Sequence, residues 1–480
     1  MKTIISVLNK KEQDIRSPII KTLKQLTVED ASFVLASPSE IVETEDLGSL
    51  LKKTITSYTG IGLVFTKHLT QSKLQFTSVD NTTSVFEGRL YESSDALTAN
   101  VQSKQIHVPN EKAMEKLLRQ AEGDFCQITV EPQRIMAARD AIGVQPLYYG
   151  ENETLVALAT NRRALWKLNI NKVYSFPPGN LASISKDGFI FKPIRMLVRP
   201  KPKRITLNVA AERLRILLER SVYARVKDTR EVAVAFSGGL DSSIIAFLAK
   251  KSGVNVHLIH VSLYNQPETE EAKKIANMLE LPLDVHLFKA HDVETAVIRV
   301  LELIEEADPI KVAIAVPFLW IANKTVDKGI SVLLAGQGAD ELFGGYQRYL
   351  NEYILHGKRN VQETMFSDVM KIHESNLERD EKICRFYDVE LRLPFASYDI
   401  AKFALNLPVE LKLEKKVDGL RKLVLRETAM NLGLPKLVVN KPKKAIQYAT
   451  GVNTVLTKTA KRQSLNVKPY VEKLFHELND

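Results

Sequence analysis

The chain has 480 residues, 45% of them hydrophobic and 26% charged, which at roughly 100–200 residues per domain predicts two or three globular domains. Its net charge is +10, from 67 basic and 57 acidic residues spread along the chain, a distribution that disfavours a nucleic-acid partner and fits anionic small substrates. Two cysteines without CxxC spacing argue against disulfides and a zinc site, and no run approaches the ~18 apolar residues of a membrane helix, so a cytoplasmic location without a membrane partner is expected.

The first part of the chain, residues 1 to about 195, has the pattern of a layered α+β domain. Short apolar runs alternate with Gly, Pro, Asn and Asp, which is typical of strands separated by turns. The segment that begins at Met1 reads as a strand, because Lys10 and Lys11 interrupt the apolar core that a signal peptide would need. One helix is predicted at 111–122, and further strands are predicted at 61–65, 134–138, 155–159 and 180–184.

A proline-interrupted basic run at 199–204 marks the domain boundary. We place a linker at 196–208, between a first domain at 1–195 and a second at 209–480. In the second domain, continuous apolar runs of strand length alternate with helical periodicity, which predicts a doubly wound parallel sheet covered by helices on both faces. The tail from about residue 350 is mainly helical. The predicted strands are 231–236, 256–261 and 331–335, and the predicted helices are 209–226, 242–250 and 268–279.

The first chemical motif is the segment 236–243, where a buried strand ends, two glycines turn the chain and a helix begins. Backbone N–H groups of the turn and of the first helical residues would converge on one anion, and glycine allows a phosphate to approach the backbone. Asp241 would repel a phosphate unless it holds a Mg²⁺ ion that bridges to the phosphate oxygens. The alternative is a glycine turn and a capped helix without a ligand.

The second motif, at 336–346, follows the strand 331–335 and contains four glycines. It therefore also lies at a carboxyl strand end, where ligands of parallel sheets bind. Asp340 provides a second carboxylate for Mg²⁺. A glycine-rich loop with a capping aspartate and no ligand is again the alternative.

Together the two motifs resemble the synthetase domain of asparagine synthetases, within the ATP-pyrophosphatase superfamily. The segments 390–395 and 441–445 resemble two further motifs of that domain, and residues 138–149 are similar to a motif of class II glutamine amidotransferases, an Ntn-hydrolase fold. The resemblance implies that ATP and a small carboxylic acid form an acyl-adenylate, that pyrophosphate leaves, and that ammonia attacks to give an amide. It leaves a homodimer as one option.

The resemblance also implies roles for individual residues. Lys443 is the first candidate for the lysine that reaches the developing negative charge, and Lys444 is the second; a surface lysine is the alternative for either. Gln337 is expected where the acid and ammonia are handled, although many asparagine synthetases carry Glu there. Mg²⁺ is expected on Asp241 and Asp340. Contacts to ATP are expected from Phe236, Ser237, Gly238, Gly239, Asp241, Ser242, Ser243, Val261, Ala335 and Gly336.

The first domain departs from the amidotransferase pattern in its nucleophile. Those enzymes use an N-terminal cysteine that is exposed when the initiator methionine is removed, and Lys2 stands at that position here. Their NGExYN motif appears as residues 87–92, with Glu87 in place of the first Asn, and Cys126 is expected in the core. We therefore expect no hydrolysis of glutamine.

Three functions remain open from the sequence. The first is an asparagine synthetase-like enzyme that depends on ammonia and uses aspartate. The second is a ligase that activates another carboxylate and cyclises it, as β-lactam-forming relatives do. The third is a nucleotide-binding scaffold without catalysis.

Overall fold

The computed structural model describes residues 2–27, 30–51, 57–66, 74–92, 110–199 and 201–478. The chain divides into two compact units, Met1–Met196 and Leu197–Asp480. Met1 and Pro200, which belong to the predicted first strand and the predicted linker, lie outside the described residues.

Unit 1 is built on two antiparallel sheets. The first has the strand order β11-β9-β10-β1-β4-β2-β3 and the second has the order β13-β12-β8-β7-β6-β5. The strands are β1 Lys2–Asn9, β2 Ala31–Ala36, β3 Ile41–Thr44, β4 Thr59–Thr66, β5 Leu74–Val79, β6 Thr82–Glu92, β7 Glu122–Val130, β8 Ile135–Arg139, β9 Tyr148–Glu151, β10 Leu155–Ala159, β11 Tyr174–Ser175, β12 Asn180–Ser185 and β13 Gly188–Pro193.

Three apolar clusters give unit 1 four layers. The central cluster joins Ile4 and Leu63 of the first sheet to Ile128 and Ile184 of the second, so the two sheets pack face to face. A second cluster covers the outer face of the first sheet with helical residues, and a third covers the outer face of the second sheet. The helices of unit 1 are Arg16–Gln25, Leu47–Leu51, Glu111–Gln120 and Arg162–Trp166.

The predicted layered α+β domain is thus confirmed. Cys126 is 1% exposed within β7, as expected of a core residue. The predicted helix at 111–122 is two residues shorter than expected, because Glu122 already pairs with Glu92 of β6 as the first residue of β7.

Unit 2 contains a five-stranded parallel sheet with the order β16-β15-β14-β17-β18. The chain first builds outward from β14 through β15 to β16 and then continues on the other side of β14, so a topological switch point lies between β14 and β17. This is the predicted doubly wound arrangement. The strands are β14 Glu231–Ala235, β15 Asn255–Leu263, β16 Leu283–Phe288, β17 Val332–Leu334 and β18 Glu390–Arg392.

Helices cover this sheet and form most of the tail, as predicted. They begin with Leu207–Val226, whose N-cap Thr206 accepts a hydrogen bond from the Val209 N–H. A π-helix at His373–Leu377 and a 3₁₀ turn at Val409–Leu411 interrupt the regular helices. The α-helices are Leu207–Val226, Leu240–Lys251, Pro267–Leu279, Ala290–Ile304, Pro309–Asp327, Ala339–Phe343, Gln347–Met370, Glu378–Phe386, Tyr398–Leu405, Leu423–Asn431, Lys436–Val439, Ile446–Ala449, Val452–Arg462 and Val467–Glu477.

One of these helices, Pro309–Asp327, is long and apolar enough to cross a membrane by length and composition alone. However, 61% of its most apolar window is buried inside the protein, which is the pattern of a core helix.

Candidate active site

The first glycine motif connects β14 to the helix Leu240–Lys251. Gly238 has a φ of 63°, and a Cβ on it would lie 3.0 Å from the Ala272 Cα, so the turn needs glycine. Ser237 Oγ accepts a hydrogen bond from the Gly239 N–H at 3.2 Å and lies 3.3 Å from Ser242 Oγ. The turn therefore places Ser237 and Ser242 at the carboxyl end of the sheet, next to the start of a twelve-residue helix.

The second glycine motif leaves the neighbouring strand at the same edge. Val234 of β14 pairs with Leu334 of β17, so both loops start side by side at the switch point. Gly336 packs on the first motif, since a Cβ there would lie 3.1 Å from the Asp241 Cβ. The loop continues into the short helix Ala339–Phe343, which carries Asp340 in its first turn. The two predicted metal-binding carboxylates therefore come together.

Two lysines connect these carboxylates. Lys422 Nζ lies 2.7 Å from both carboxylate oxygens of Asp241 and 2.6 Å from Asp340 Oδ1. Lys443 Nζ lies 2.8 Å from Asp340 Oδ2. The side chain of Lys422 is 3% exposed and that of Lys443 is 27% exposed. We call these four residues the charge cluster.

Local backbone geometry holds Lys422 in the charge cluster. The residue has a φ of 60° and precedes the helix Leu423–Asn431, so its backbone is fixed in the left-handed region. A Cβ on Gly345 would collide with the Asp340 carboxylate and the Lys422 Cε, so glycine at this position leaves the space that the lysine side chain uses. Arg421 donates a hydrogen bond to the Gly345 carbonyl oxygen at 2.6 Å, which connects the residue before Lys422 to the second glycine motif.

The two lysines decide the protonation of the charge cluster. Burial by itself would raise the pKa of Asp340, but the charges of Lys422 and Lys443 outweigh burial and hold this pKa well below its usual range. Burial likewise opposes the charge of Lys443, yet Asp340 and Asp241 raise its pKa. At neutral pH Asp340 is therefore a carboxylate and Lys443 an ammonium group.

A network of hydrogen bonds holds the second glycine motif at two residues, Gln337 and Glu341. Gln337 Nε2 donates to Asp380 Oδ2 at 2.6 Å, and Arg379 binds the same carboxylate through Nε at 2.7 Å. Arg379 also donates to Asn376, which in turn donates to Glu341 Oε1 at 2.6 Å. Because the helix Glu378–Phe386 and the π-helix before it supply these partners, the loop geometry depends on a distant segment of the chain.

Tyr346 belongs to the same network, because its hydroxyl donates a hydrogen bond to Glu341 Oε1 at 2.6 Å. Burial, together with the neighbouring charge of Asp340, raises the pKa of Glu341. Burial and the charge of Glu341 raise the pKa of Tyr346 well above its usual value, so the phenol stays protonated and remains a donor. The lysines thus hold the Asp340 carboxylate, and this network holds the side chain of the next residue, Glu341.

The structure separates the two lysine candidates. Lys443 reaches Asp340, whereas Lys444 pairs with Glu268 at the start of the helix Pro267–Leu279. Three of the residues expected to contact ATP are buried: Phe236, Val261 and Ala335 are at most 3% exposed. Val261 lies within β15, which continues two residues beyond the predicted strand, to Leu263.

Buried polar atoms without partners lie along the same edge of the sheet. Among the described residues, Ser243 Oγ and Ser262 Oγ have no hydrogen-bond partner, nor do Glu268 Oε2 and Gln447 Oε1. An unsatisfied buried group typically costs ~1–3 kcal/mol, so several of them at one edge favour a ligand site. Leu263 donates to the Thr450 carbonyl oxygen at 3.0 Å, which places Gln447 near the end of β15.

Sequence reasoning missed three residues of this site: Lys422, Arg379 and Asp380. Lys422 is one of 67 basic residues and stands 181 positions from Asp241, and no spacing rule connects the two. Asp380 and Arg379 lie in a helix whose five consecutive residues from Glu378 to Lys382 are all charged and all buried. Charged residues are almost never fully buried unless they are paired, but a sequence does not show burial, and therefore this signal could not be used.

In unit 1, the amidotransferase-like motif at 138–149 forms a structural turn. Asp140 Oδ1 accepts hydrogen bonds from the N–H groups of Ile142, Gly143 and Val144, and Arg139 donates to the Phe176 carbonyl oxygen at 2.7 Å. These contacts satisfy the backbone of a buried turn, so the motif supports the fold here.

At position 2, where the resemblance to amidotransferases leads one to expect a cysteine, Lys2 forms a largely buried ion pair. Lys2 Nζ lies 3.0 Å from Glu87 Oε1, and the two side chains are 16% and 4% exposed. Lys2 lies on β1 of the first sheet and Glu87 on β6 of the second, so the pair spans the two sheets. Nearby on β6, Tyr91 donates to Asp124 Oδ2 at 2.6 Å.

Comparisons with known proteins match two family profiles to different parts of the chain. Residues 213–472 match the family profile described as asparagine synthase, and residues 78–167 match the one described as glutamine amidotransferase domain. A protein of Methanocaldococcus jannaschii described as a putative glutamine-hydrolysing asparagine synthetase is 30% identical over 415 residues, covering 76% of this chain and 75% of that protein. The glutamine-hydrolysing asparagine synthetase of Sandersonia aurantiaca is 28% identical, covering 70% of this chain and 66% of the relative.

Similarity to solved structures is lower. The glutamine phosphoribosylpyrophosphate amidotransferase of B. subtilis complexed with ADP and GMP aligns with a TM-score of 0.31 and 11% identity, covering 59% of this chain and 65% of that chain. This likeness is too low to support an argument about the site. The family profile covers more than half of the 480 residues, and the archaeal relative covers three quarters of them. The chain therefore belongs to the asparagine synthetase family of ATP-dependent carbon–nitrogen ligases.

Proposed function

We propose that unit 2 activates a small carboxylic acid, aspartate in the first instance, as an acyl-adenylate and then forms the amide with ammonia. ATP supplies the adenylyl group, pyrophosphate leaves, and AMP leaves when ammonia attacks the activated carbonyl. The charge cluster is the observation that carries this proposal. Two ammonium groups held at the switch point of the sheet are suited to stabilise negative charge that grows on a leaving pyrophosphate.

The loops around the charge cluster supply the remaining phosphate contacts. The amides of the first glycine turn and the hydroxyls of Ser237 and Ser242 face the carboxyl edge of the sheet, and Ser243 Oγ has no partner there. The Gly239 N–H and the Ser242 hydroxyl make hydrogen bonds within the turn and would exchange these partners for phosphate oxygens, whereas the Ser243 hydroxyl has no partner to give up. The ends of β14, β15 and β17 would then enclose the adenine ring.

The two carboxylates of the charge cluster fit a magnesium ion. Three of their oxygens already converge on one positive group, the Lys422 ammonium. The described residues contain no group of three or more His, Cys, Asp or Glu side chains that could hold a metal, so phosphate oxygens and water would complete the coordination. Asp241 and Asp340 would hold the Mg²⁺, and the chemistry it would supply is neutralisation of part of the phosphate charge.

Gln337 has a defined orientation that bears on the nitrogen donor. Arg379 and Gln337 both donate to Asp380, so the amide NH₂ group of Gln337 must point to this carboxylate. The carbonyl oxygen is left as the group that can receive an N–H. A neutral acceptor at this place suits ammonia or the ammonium group of an amino acid, and it differs in charge from the Glu of many relatives.

We further propose that unit 1 does not hydrolyse glutamine. The ion pair between Lys2 and Glu87 puts charged groups where a thiolate and the first Asn of the NGExYN motif would stand. A lysine side chain in an ion pair cannot replace a thiolate nucleophile. Free ammonia is therefore the nitrogen donor that this chain would use.

A pyrophosphate-release assay tests the proposal. ATP, Mg²⁺ and ammonium are combined with aspartate and, in parallel, with amino acids able to cyclise. We expect release that depends on aspartate, and loss of at least ~100-fold in Asp241→Asn and in Asp340→Asn. The exposed Asp399→Asn, in the helix Tyr398–Leu405, serves as the matched control and should keep its rate.

The outcomes separate the three functions. Release with a cyclising acid and not with aspartate would favour the second ligase. ATP binding without release for any acid would indicate a scaffold. Glutamine in place of ammonium should give no glutamate, and measurable glutamate production would contradict the assignment of unit 1.

A further inference from the structure

The Lys422 ammonium lies at the point where the two carboxylates of the charge cluster meet. It contacts both oxygens of Asp241 and one of Asp340, all within 2.7 Å. A cation that bridges two carboxylates from separate loops occupies the same kind of place that a divalent metal ion would take. A metal ion at this place would need the same oxygens that Lys422 contacts.

We infer that Lys422 excludes a divalent cation from the nucleotide-free site, so that the metal binds only together with a nucleotide. This inference rests on the proposed nucleotide site. The inference predicts an order of binding in which the nucleotide binds first and the metal second. Lys422 would form ion pairs with the nucleotide phosphates instead of with Asp241 and Asp340, and the carboxylate oxygens would then be available to the metal.

Charge balance gives the reason. Asp241 and Asp340 carry two negative charges, and Lys422 and Lys443 carry two positive ones, so the cluster is neutral and has no net attraction for a cation. A triphosphate adds about four negative charges to this neutral group. The two lysines can then pair with phosphate oxygens, and the carboxylates regain the charge that attracts a metal.

The backbone allows this exchange without a change of fold. The Lys422 carbonyl oxygen accepts the Arg426 N–H at 2.9 Å at the start of a helix, and the Leu423 N–H donates to the Lys412 carbonyl oxygen at 3.1 Å. The main chain on both sides is therefore fixed. Only the four-carbon side chain of Lys422 has to swing, within the space that Gly345 leaves.

Electron paramagnetic resonance of Mn²⁺ tests the inference directly. Mn²⁺ is titrated into the full chain without nucleotide and with α,β-methylene-ATP, which resists cleavage between the α- and β-phosphates. We expect Mn²⁺ to bind the nucleotide-free wild type at least ~10-fold more weakly than the nucleotide complex, within the usual range of coupling between two ligands. By reciprocity, Mn²⁺ should tighten binding of the analogue by the same factor.

Variants identify the competitor. Lys422→Met should bind one Mn²⁺ without nucleotide at least ~10-fold more tightly than wild type, and adding Asp241→Asn should abolish that gain. Lys422→Arg keeps the positive charge and should keep the metal out. Lys461→Met is the matched control, because Lys461 is exposed near the end of the helix Val452–Arg462, and it should behave as wild type. Circular dichroism confirms that each variant is folded.

Two results would overturn the inference. One is wild-type protein that binds Mn²⁺ equally well with and without the analogue, through Asp241 and Asp340. The other is a folded Lys422→Met variant that gains no nucleotide-free binding. If Mn²⁺ fails to bind even in the presence of the analogue, the proposed metal site itself is wrong. This result differs from the two above, so failure of the proposed site can be told apart from failure of the inference about Lys422.

Discussion

Replacing Lys412 by Met should stabilise unit 2, and the size of the effect should depend on pH. Lys412 is 3% exposed, and burial lowers the pKa of its ammonium group to about 7 with no neighbouring charge to offset it among the described residues. The unfolded chain keeps a lysine pKa near 10.5. Between these values the unfolded state binds more protons than the folded state, so wild-type stability rises with pH.

The magnitude follows from the two pKa values. At pH 7 the buried amine costs ~4 kcal/mol of unfolding free energy, and at pH 9 it costs ~2 kcal/mol. Met fills a similar volume without a charge, so Lys412→Met should gain about these amounts over wild type. The advantage of the variant should therefore shrink by about half between pH 7 and pH 9.

Urea denaturation followed by tryptophan fluorescence provides the measurement. The chain has two tryptophans, Trp166 in unit 1 and Trp320 in unit 2, so a Trp166→Phe background makes the signal specific to unit 2. Lys461→Met, at an exposed position near the end of the helix Val452–Arg462, is the control and should change stability by less than ~0.5 kcal/mol at either pH. A difference between Lys412→Met and wild type that is the same at pH 7 and pH 9 would refute the reasoning.

Three further predictions concern the site. Lys443→Met should lower pyrophosphate release at least ~100-fold, whereas Lys444→Met should lower it less than ~3-fold, because of the two lysines only Lys443 contacts Asp340. Equal losses of rate in a steady-state assay would show that the two lysines do not differ in role. Gln337→Glu should lower pyrophosphate release at least ~10-fold, because it places a second carboxylate next to the Asp380 carboxylate. The double variant Gln337→Glu/Asp380→Asn should recover most of the lost rate; a double variant no faster than Gln337→Glu would contradict the contact between residues 337 and 380. Gly345→Ala should weaken binding of α,β-methylene-ATP by calorimetry at least ~10-fold, since the added Cβ displaces Lys422; unchanged affinity would show that this lysine does not contact phosphate.

Local sequence patterns were sufficient for the elements that surround the site. The apolar run at 231–236 and the two glycines after it predict β14 and its turn. A buried strand requires consecutive apolar residues and a tight turn requires glycine, so both are visible in the local sequence. The same holds for the loop that follows β17. Helix and strand ends were less well predicted, as the early start of β7 shows, because tertiary pairing decides where a strand begins.

The sequence by itself determined the α/β class and the glycine loops, and it predicted the two carboxylates as metal ligands and shows Lys2 where the amidotransferase resemblance calls for a cysteine. Only the tertiary structure decided which cations meet those carboxylates. Lys422 and Lys443 come from the helical tail, and Asp380 reaches Gln337 from a helix 43 positions away. The physical reason is that charged residues carry no periodic signal of their partner, and packing of the tail against the sheet edge alone brings these charges within hydrogen-bond distance.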